Sequence, residues 1–121
     1  MKVIIAGTRT VDNYKLVVES VQRSGYSITE VVSGCATGVD RLGERWAIAN
    51  NIPVKEMPAD WSQYGNAAGP HRNKQMADYA DAAIIIWDGQ SRGTRNMIEN
   101  MVRREKPYYI GITSANLEDF I

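Results

Sequence analysis

The apolar run Ile84-Ile85-Ile86-Trp87 has no polar alternation and stops at Asp88-Gly89. Such a run predicts a central strand, here over 82–87, covered on both faces. Ser91, Gly93 and Thr94 then stand where a helix begins. That helix, over about 94–104, takes Met97, Ile98, Met101 and Val102 as its apolar face. The same alternation runs through the chain. Val3-Ile4-Ile5-Ala6 is a short strand closed by Gly7. Asp12 is placed to cap a helix over about 13–24, with Leu16, Val17, Val18 and Val21 inward and Gly25 as its stop. A second strand spans 28–32, and the small-residue turn Ser33-Gly34-Cys35-Ala36-Thr37-Gly38 follows it. Val39, Leu42, Trp46 and Ala49 form a helical stripe ended by Asn50-Asn51. A third strand covers 52–57. Residues 58–70 then form a long connection without a clear period, carrying Asp60, Trp61 and Tyr64. His71 to Tyr79 reads as a helix with Met76 and Ala80 inward, 106–112 as a last strand and 113–121 as a surface tail.

Strands alternating with helices predict one α/β, Rossmann-like domain over 1–121, with a mainly parallel five-stranded sheet and helices on both faces. In such sheets ligands bind outside the carboxyl ends of the strands, at the point where strand order reverses. Three glycine-bearing turns end strands here: Gly7-Thr8-Arg9, Gly34 to Gly38, and Gly89 to Thr94. All three must open on one edge of the sheet. A helix start approached by small residues offers unpaired N–H groups and the positive end of the helix dipole, so this edge is a candidate phosphate site.

Composition narrows the partner. Lys+Arg and Asp+Glu are 14 each, so the net charge is zero and nothing electrostatic argues for a nucleic-acid polymer. One cysteine excludes an internal disulfide, and one histidine with one cysteine is too few for a usual zinc site. No metal and no cofactor are expected. No apolar run is long enough to span a membrane, and Met1-Lys2-Val3 leads directly into a strand rather than a signal peptide, so a cytoplasmic protein is expected.

The motifs also match a known family. The pieces are Gly7-Thr8-Arg9, Ser33-Gly34 with Gly38-Val39-Asp40, Ala59-Asp60-Trp61 with Tyr64-Gly65, Ala68-Gly69-Pro70, Arg72-Asn73, Trp87-Asp88-Gly89, Ser91 and Gly93-Thr94. In this order they resemble the SLOG superfamily of Rossmann-like domains, which includes the DNA-processing protein A domain and the Lonely Guy phosphoribohydrolases. The small stand-alone YspA-like branch is most similar. The resemblance implies a pocket for a nucleotide or nucleotide-derived ligand and, in some members, cleavage of an N-glycosidic bond. It also implies association through helices, so a homodimer is expected, with the Met-rich helix 94–104 as its face. The chain departs from the phosphoribohydrolases where those carry Pro-Gly-Gly-x-Gly-Thr followed by paired glutamates. Here Trp87-Asp88-Gly89 replaces the first part, and Asn96 and Met97 stand where the glutamates would.

The candidate ligand-binding residues are Gly7, Thr8, Arg9, Ser33, Gly34, Gly38, Asp40, Asp60, Trp61, Tyr64, Arg72, Asn73, Asp88, Gly89, Ser91, Gly93 and Thr94. Arg9 and Arg72 would grip phosphate through forked, permanently charged donors. The alternative for each is a solvated surface arginine. Asp40 would bind a ribose hydroxyl or simply favour its helix start. Trp61 and Tyr64 would stack a base or ribose, or pack as a lid. Cys35 lacks a positioned base, which argues against a nucleophile. If the protein hydrolyses a glycosidic bond, Asp88, Asp60 or Glu99 would be the carboxylate that supports the sugar cation. Asp88 has a third role open to it, capping the turn at Gly89–Ser91. The expected function is therefore binding of a nucleotide-derived small molecule, as a sensor or sequestering protein. The alternatives are an N-glycosidase and, more remotely, a DNA-binding module.

Overall fold

The computed structural model describes residues 1–113; the expected surface tail lies outside the described residues from 114 onward. Five strands, β1 (Lys2–Gly7), β2 (Glu30–Ser33), β3 (Val54–Glu56), β4 (Ala82–Trp87) and β5 (Tyr108–Ile112), form one sheet in the order β3-β2-β1-β4-β5. Every pairing is parallel. The helices are α1 (Tyr14–Ser24), α2 (Val39–Ala49), α3 (Trp61–Tyr64), α4 (Ala68–Tyr79) and α5 (Arg92–Arg103).

Parallel crossovers are right-handed, so the face a helix covers follows from the direction in which the chain steps. The chain steps from β1 to β2 to β3, then returns past β1 to β4 and moves out to β5. That reversal puts α1 and α2 on one face and α4 and α5 on the other. Val3, Ile5, Ile84 and Ile86 pack with Val17 and Val21 of α1 and Val39 and Ala47 of α2. Ile4, Val32, Ala83 and Ile85 pack with Met76 and Ala77 of α4 and Met97 and Met101 of α5. Ile4, Ile5, Ile84, Ile85 and Ile86 are all 0% exposed, and each such side chain stabilises the fold by roughly 1.5–3 kcal/mol.

Several boundaries differ from the sequence reading, each for a local reason. The strands are shorter at the sheet edge, where pairing of β2 with β3 covers only Val31–Ser33 against Val54–Glu56. Ile28 and Ile52 still bury against the core, but from loops. The cap position of α1 is Asn13, not Asp12, and it makes no side-chain cap bond. Helix α4 starts at Ala68 rather than His71. Pro70 falls in its first turn, where N–H groups have no intrahelical acceptor, so proline is tolerated. The long connection is thereby reduced to one turn of α3 and a 3-10 turn at Gly65–Ala67. Val102 is 52% exposed instead of buried. It lies about 100° round α5 from Met101, and Asn100, 0% exposed, takes the inward position. Met97 and Met101 pack on the sheet, as their place on the helix's apolar stripe predicts.

The seam between β1 and β4 is closed at its carboxyl end by Gly7 and Thr8. The Thr8 N–H donates to the Ile86 carbonyl at 3.0 Å, and the Thr8 hydroxyl accepts from the Asp88 N–H at 3.1 Å. A Cβ on Gly7 would lie 2.1 Å from the Ile86 carbonyl oxygen and 2.9 Å from Val39 Cγ2. Gly7→Ala is therefore expected to cost about 3 kcal/mol. Gly89 has φ of 83° but open space around it, so Gly89→Ala is expected to cost only about 1 kcal/mol. Denaturant unfolding of both variants checks the contrast.

Candidate functional site

The reversal of strand order opens a cleft between the carboxyl ends of β1 and β4, and it has two lobes. The first, about 420 Å³, is bounded by the end of β1, the first turn of α2, the first two turns of α4 and the start of α5. The second, also about 420 Å³, lies towards the turn after β2 and residues Pro58 and Ala59. Arg9, Ala36, Trp61 and Arg72 belong to the walls of both.

Arg72 is held from two sides. Its Nη1 donates to the Gly34 carbonyl at 2.5 Å, and its Nε donates to Asn73 Oδ1 at 3.1 Å. Asn73 is buried and donates in turn to the Gly93 carbonyl at 3.1 Å and to Asn96 Oδ1 at 3.0 Å. The guanidinium thus ties α4 to the β2 turn and, through Asn73, to the first turn of α5. Glycine at position 34 leaves room for this arrangement. A Cβ there would lie 2.5 Å from Arg72 Nη1 and 2.9 Å from Asp40 Oδ2. Arg9 is exposed and has no carboxylate within ion-pair distance among the described residues.

Asp40 is the one carboxylate among the described residues that lines either lobe. It is 5% exposed, and its Oδ2 accepts from the Ala36 N–H at 3.1 Å. Burial pushes its pKa up to about 6, against the pull of the Ala36 and Gly7 N–H groups and of Arg72. At the start of α5, Ser91 caps the helix, its Oγ accepting from the Thr94 N–H at 3.4 Å. The N–H groups of Arg92 and Gly93 lie in the same first turn and have no acceptor inside the helix.

Of the expected residues, Gly7, Arg9, Asp40, Trp61, Arg72, Asn73, Ser91, Gly93 and Thr94 come together in the first lobe, and Gly34 lines the second. Others serve the frame. Thr8 stitches β1 to β4. The Ser33 hydroxyl donates to Glu44 Oε2 at 2.5 Å and accepts from the Cys35 N–H at 3.1 Å. Gly38, with φ of 76°, starts α2 where a Cβ would lie 2.4 Å from the Arg9 carbonyl oxygen. Tyr64 stacks on His71 with ring centroids 4.0 Å apart. Gly89 shapes the turn after β4.

The three carboxylates named for catalysis all lie outside the cleft. Asp60 caps α3, accepting from Ser62 Oγ at 2.7 Å and the Gln63 N–H at 3.1 Å. Asp88 accepts from the Ser91 and Gln90 N–H groups, both at 2.8 Å, which hold its carboxyl below the usual range. Of its three possible roles, capping is the one its contacts serve. Glu99 sits between Arg95 at 3.8 Å and Arg103 at 3.7 Å on the outer side of α5. Cys35 lines the second lobe, but burial, then Glu44 and Glu56, push its thiol up, which opposes a nucleophile. Among the described residues no three metal-ligating side chains gather at one point.

The sequence reading missed the floor of the first lobe. Met76, Asn96 and Met97 line it. Methionines at helical spacing read as core, and these two are core on one side and cleft wall on the other. Asn96 could have been found from the family motif, since it stands where the phosphoribohydrolases carry a glutamate. Its Oδ1 is taken by Asn73 at 3.0 Å and Asn100 at 3.2 Å.

Asp40 gives the site a pH dependence of known sign. Its value in the folded protein lies above the ordinary one, so folding favours the protonated carboxyl. That contribution is fully present below pH 3.8 and is lost as the pH rises through about 6. Relative to Asp40→Asn, the wild-type protein is expected to lose on the order of 2–3 kcal/mol of stability across this window. Urea unfolding of both proteins at about pH 4 and pH 7 reads this difference; a gap that does not change with pH would exclude it.

Comparison with known proteins fits this architecture. No curated protein matches the chain. Among solved structures, the X-ray structure of DNA processing protein A from Streptococcus pneumoniae superposes with a TM-score of 0.75 over 97% of this chain, at 18% identity. The likeness extends over 52% of that protein, so the chain spans about half its length, and it establishes a shared fold. The family model for YAcAr, the YspA, cpYpsA-related SLOG family, matches residues 1–64. With its glycine turns at the strand ends and a cleft at the β1–β4 switch point, the chain belongs to the YAcAr family of SLOG proteins.

Proposed function

We propose that the protein binds a nucleotide or nucleotide-derived small molecule, as a sensor or sequestering protein. One observation carries this reading: Arg9, Arg72, the open first turn of α5 and the exposed ring of Trp61 line a single cleft. Two guanidiniums and unpaired helix N–H groups suit a phosphate. The indole suits a base or ribose. The phosphate would rest on the Ser91–Thr94 turn, between Arg9 and Arg72. The amide at Asn96, in place of a glutamate, favours retention of the ligand over its turnover.

A second reading, N-glycosidic hydrolysis of a nucleotide, is favoured by Asp40. A buried carboxyl with a pKa of about 6 inside the cleft is poised as a general acid or base near neutral pH. In this reading Asp40 takes the role for which Asp60, Asp88 and Glu99, none of them in the cleft wall, were the candidates. A DNA-binding module has the least support, since the chain has no net positive charge. A homodimer, if formed, would use surface other than Met97 and Met101; the mass in solution decides it.

The test is to mix the protein with each nucleoside 5′-monophosphate and score bound ligand and free base together. Intact ligand is expected, with affinity at least tenfold weaker in Arg72→Ala, the loss of one charge-assisted contact. Free base that disappears in Asp40→Asn would establish the hydrolase reading instead.

A further inference from the structure

We propose that the cleft takes a two-headed ligand: two nucleoside-sized groups joined through a two-phosphate linker, one head in each lobe and the linker across Arg9 and Arg72. This rests on the nucleotide reading above and goes beyond it in the class of molecule. Each lobe encloses about 420 Å³, and a small-molecule pocket typically encloses roughly 300–1,000 Å³. Either lobe alone is therefore large enough for one ring-bearing group. A mononucleotide seated with its phosphate at the start of α5 occupies the first lobe and leaves the second vacant.

The chemistry of the walls says which part goes where. The waist common to both lobes is cationic, because Arg9 and Arg72 stand in it. Arg72 cannot swing fully into either lobe while its Nη1 donates to Gly34 and its Nε to Asn73. The negative part of a ligand therefore belongs at the waist and on the adjoining first turn of α5. Beyond the waist no charged side chain among the described residues lines the second lobe; its walls are Gly34, Cys35, Ala36, Thr37, Pro58 and Ala59. Partial burial, then Glu44 and Glu56, push the Cys35 thiol up and favour its uncharged form, so that lobe suits a neutral, weakly polar head. Trp61 is 53% exposed and walls both lobes, so its ring can cover either head.

The experiment compares, by calorimetry near pH 7, each nucleoside 5′-monophosphate with its symmetric dinucleoside 5′,5′-diphosphate. A phosphomonoester carries about −1.5 to −2 charge there, close to that of the two linker phosphates, so any gain reports the second head and not charge. The dinucleoside diphosphate of at least one base is expected to bind tenfold or more tightly than its monophosphate. Ala59→Trp and, at an exposed position, Thr37→Trp fill the second lobe, and each is expected to bring the ratio of the two affinities to within about twofold of one. Equal affinities in the wild-type protein overturn the proposal and leave the nucleotide reading standing. A ratio unchanged by both tryptophans also overturns it. No binding of either ligand overturns the nucleotide reading as well.

Discussion

The structure depends most on how closely β1 approaches β4 at their carboxyl ends. Gly7 lies against the Ile86 carbonyl where no Cβ fits, and Thr8 completes the seam through its N–H and hydroxyl. This seam is where strand order reverses, so the loops that leave β1 and β4 must diverge to opposite faces. The cleft is the space between them. A wider seam would move Arg9 away from the start of α5, and the two halves of the site would no longer share one pocket.

On that frame the site is assembled from hydrogen bonds between elements far apart in sequence. Arg72 comes from α4, yet its position is set by the Gly34 carbonyl after β2 and, through Asn73, by the Gly93 carbonyl of α5. Asp40 approaches the same guanidinium from α2, and glycine at 34 admits both side chains. A buried network whose polar members are satisfied is rigid, so Arg72 is presented to the cleft in a fixed orientation. Arg9, on a loop and without a carboxylate partner among the described residues, is the more adaptable of the two cations.

The carboxylates show how one residue type divides between frame and site. Asp60 and Asp88 each accept from backbone N–H groups at a turn, which fixes the loop and keeps the group ionised. Asp40 also accepts from backbone, but burial dominates and its pKa rises. The outcome follows from depth and not from hydrogen bonding, which all three share.

The parallel α/β architecture, the family resemblance and the edge at which the glycine turns gather are all written in the chain's local pattern. Runs such as Ile84-Ile85-Ile86 and turns such as Gly34 to Gly38 act locally, through burial and backbone freedom, and local effects are legible in a chain. Arg72, Asn73 and Trp61 were legible through the family's motifs. Long-range packing brings Asp40, and not Asp60, Asp88 or Glu99, into the cleft wall. It also decided that Tyr64 stacks on His71, and that Met76 and Met97 form part of the cleft wall. The reason is that a side chain's depth and its partners are set by elements packed from distant parts of the chain. Helical periodicity shows which face of α5 turns inward, but not where the core ends and the cleft begins.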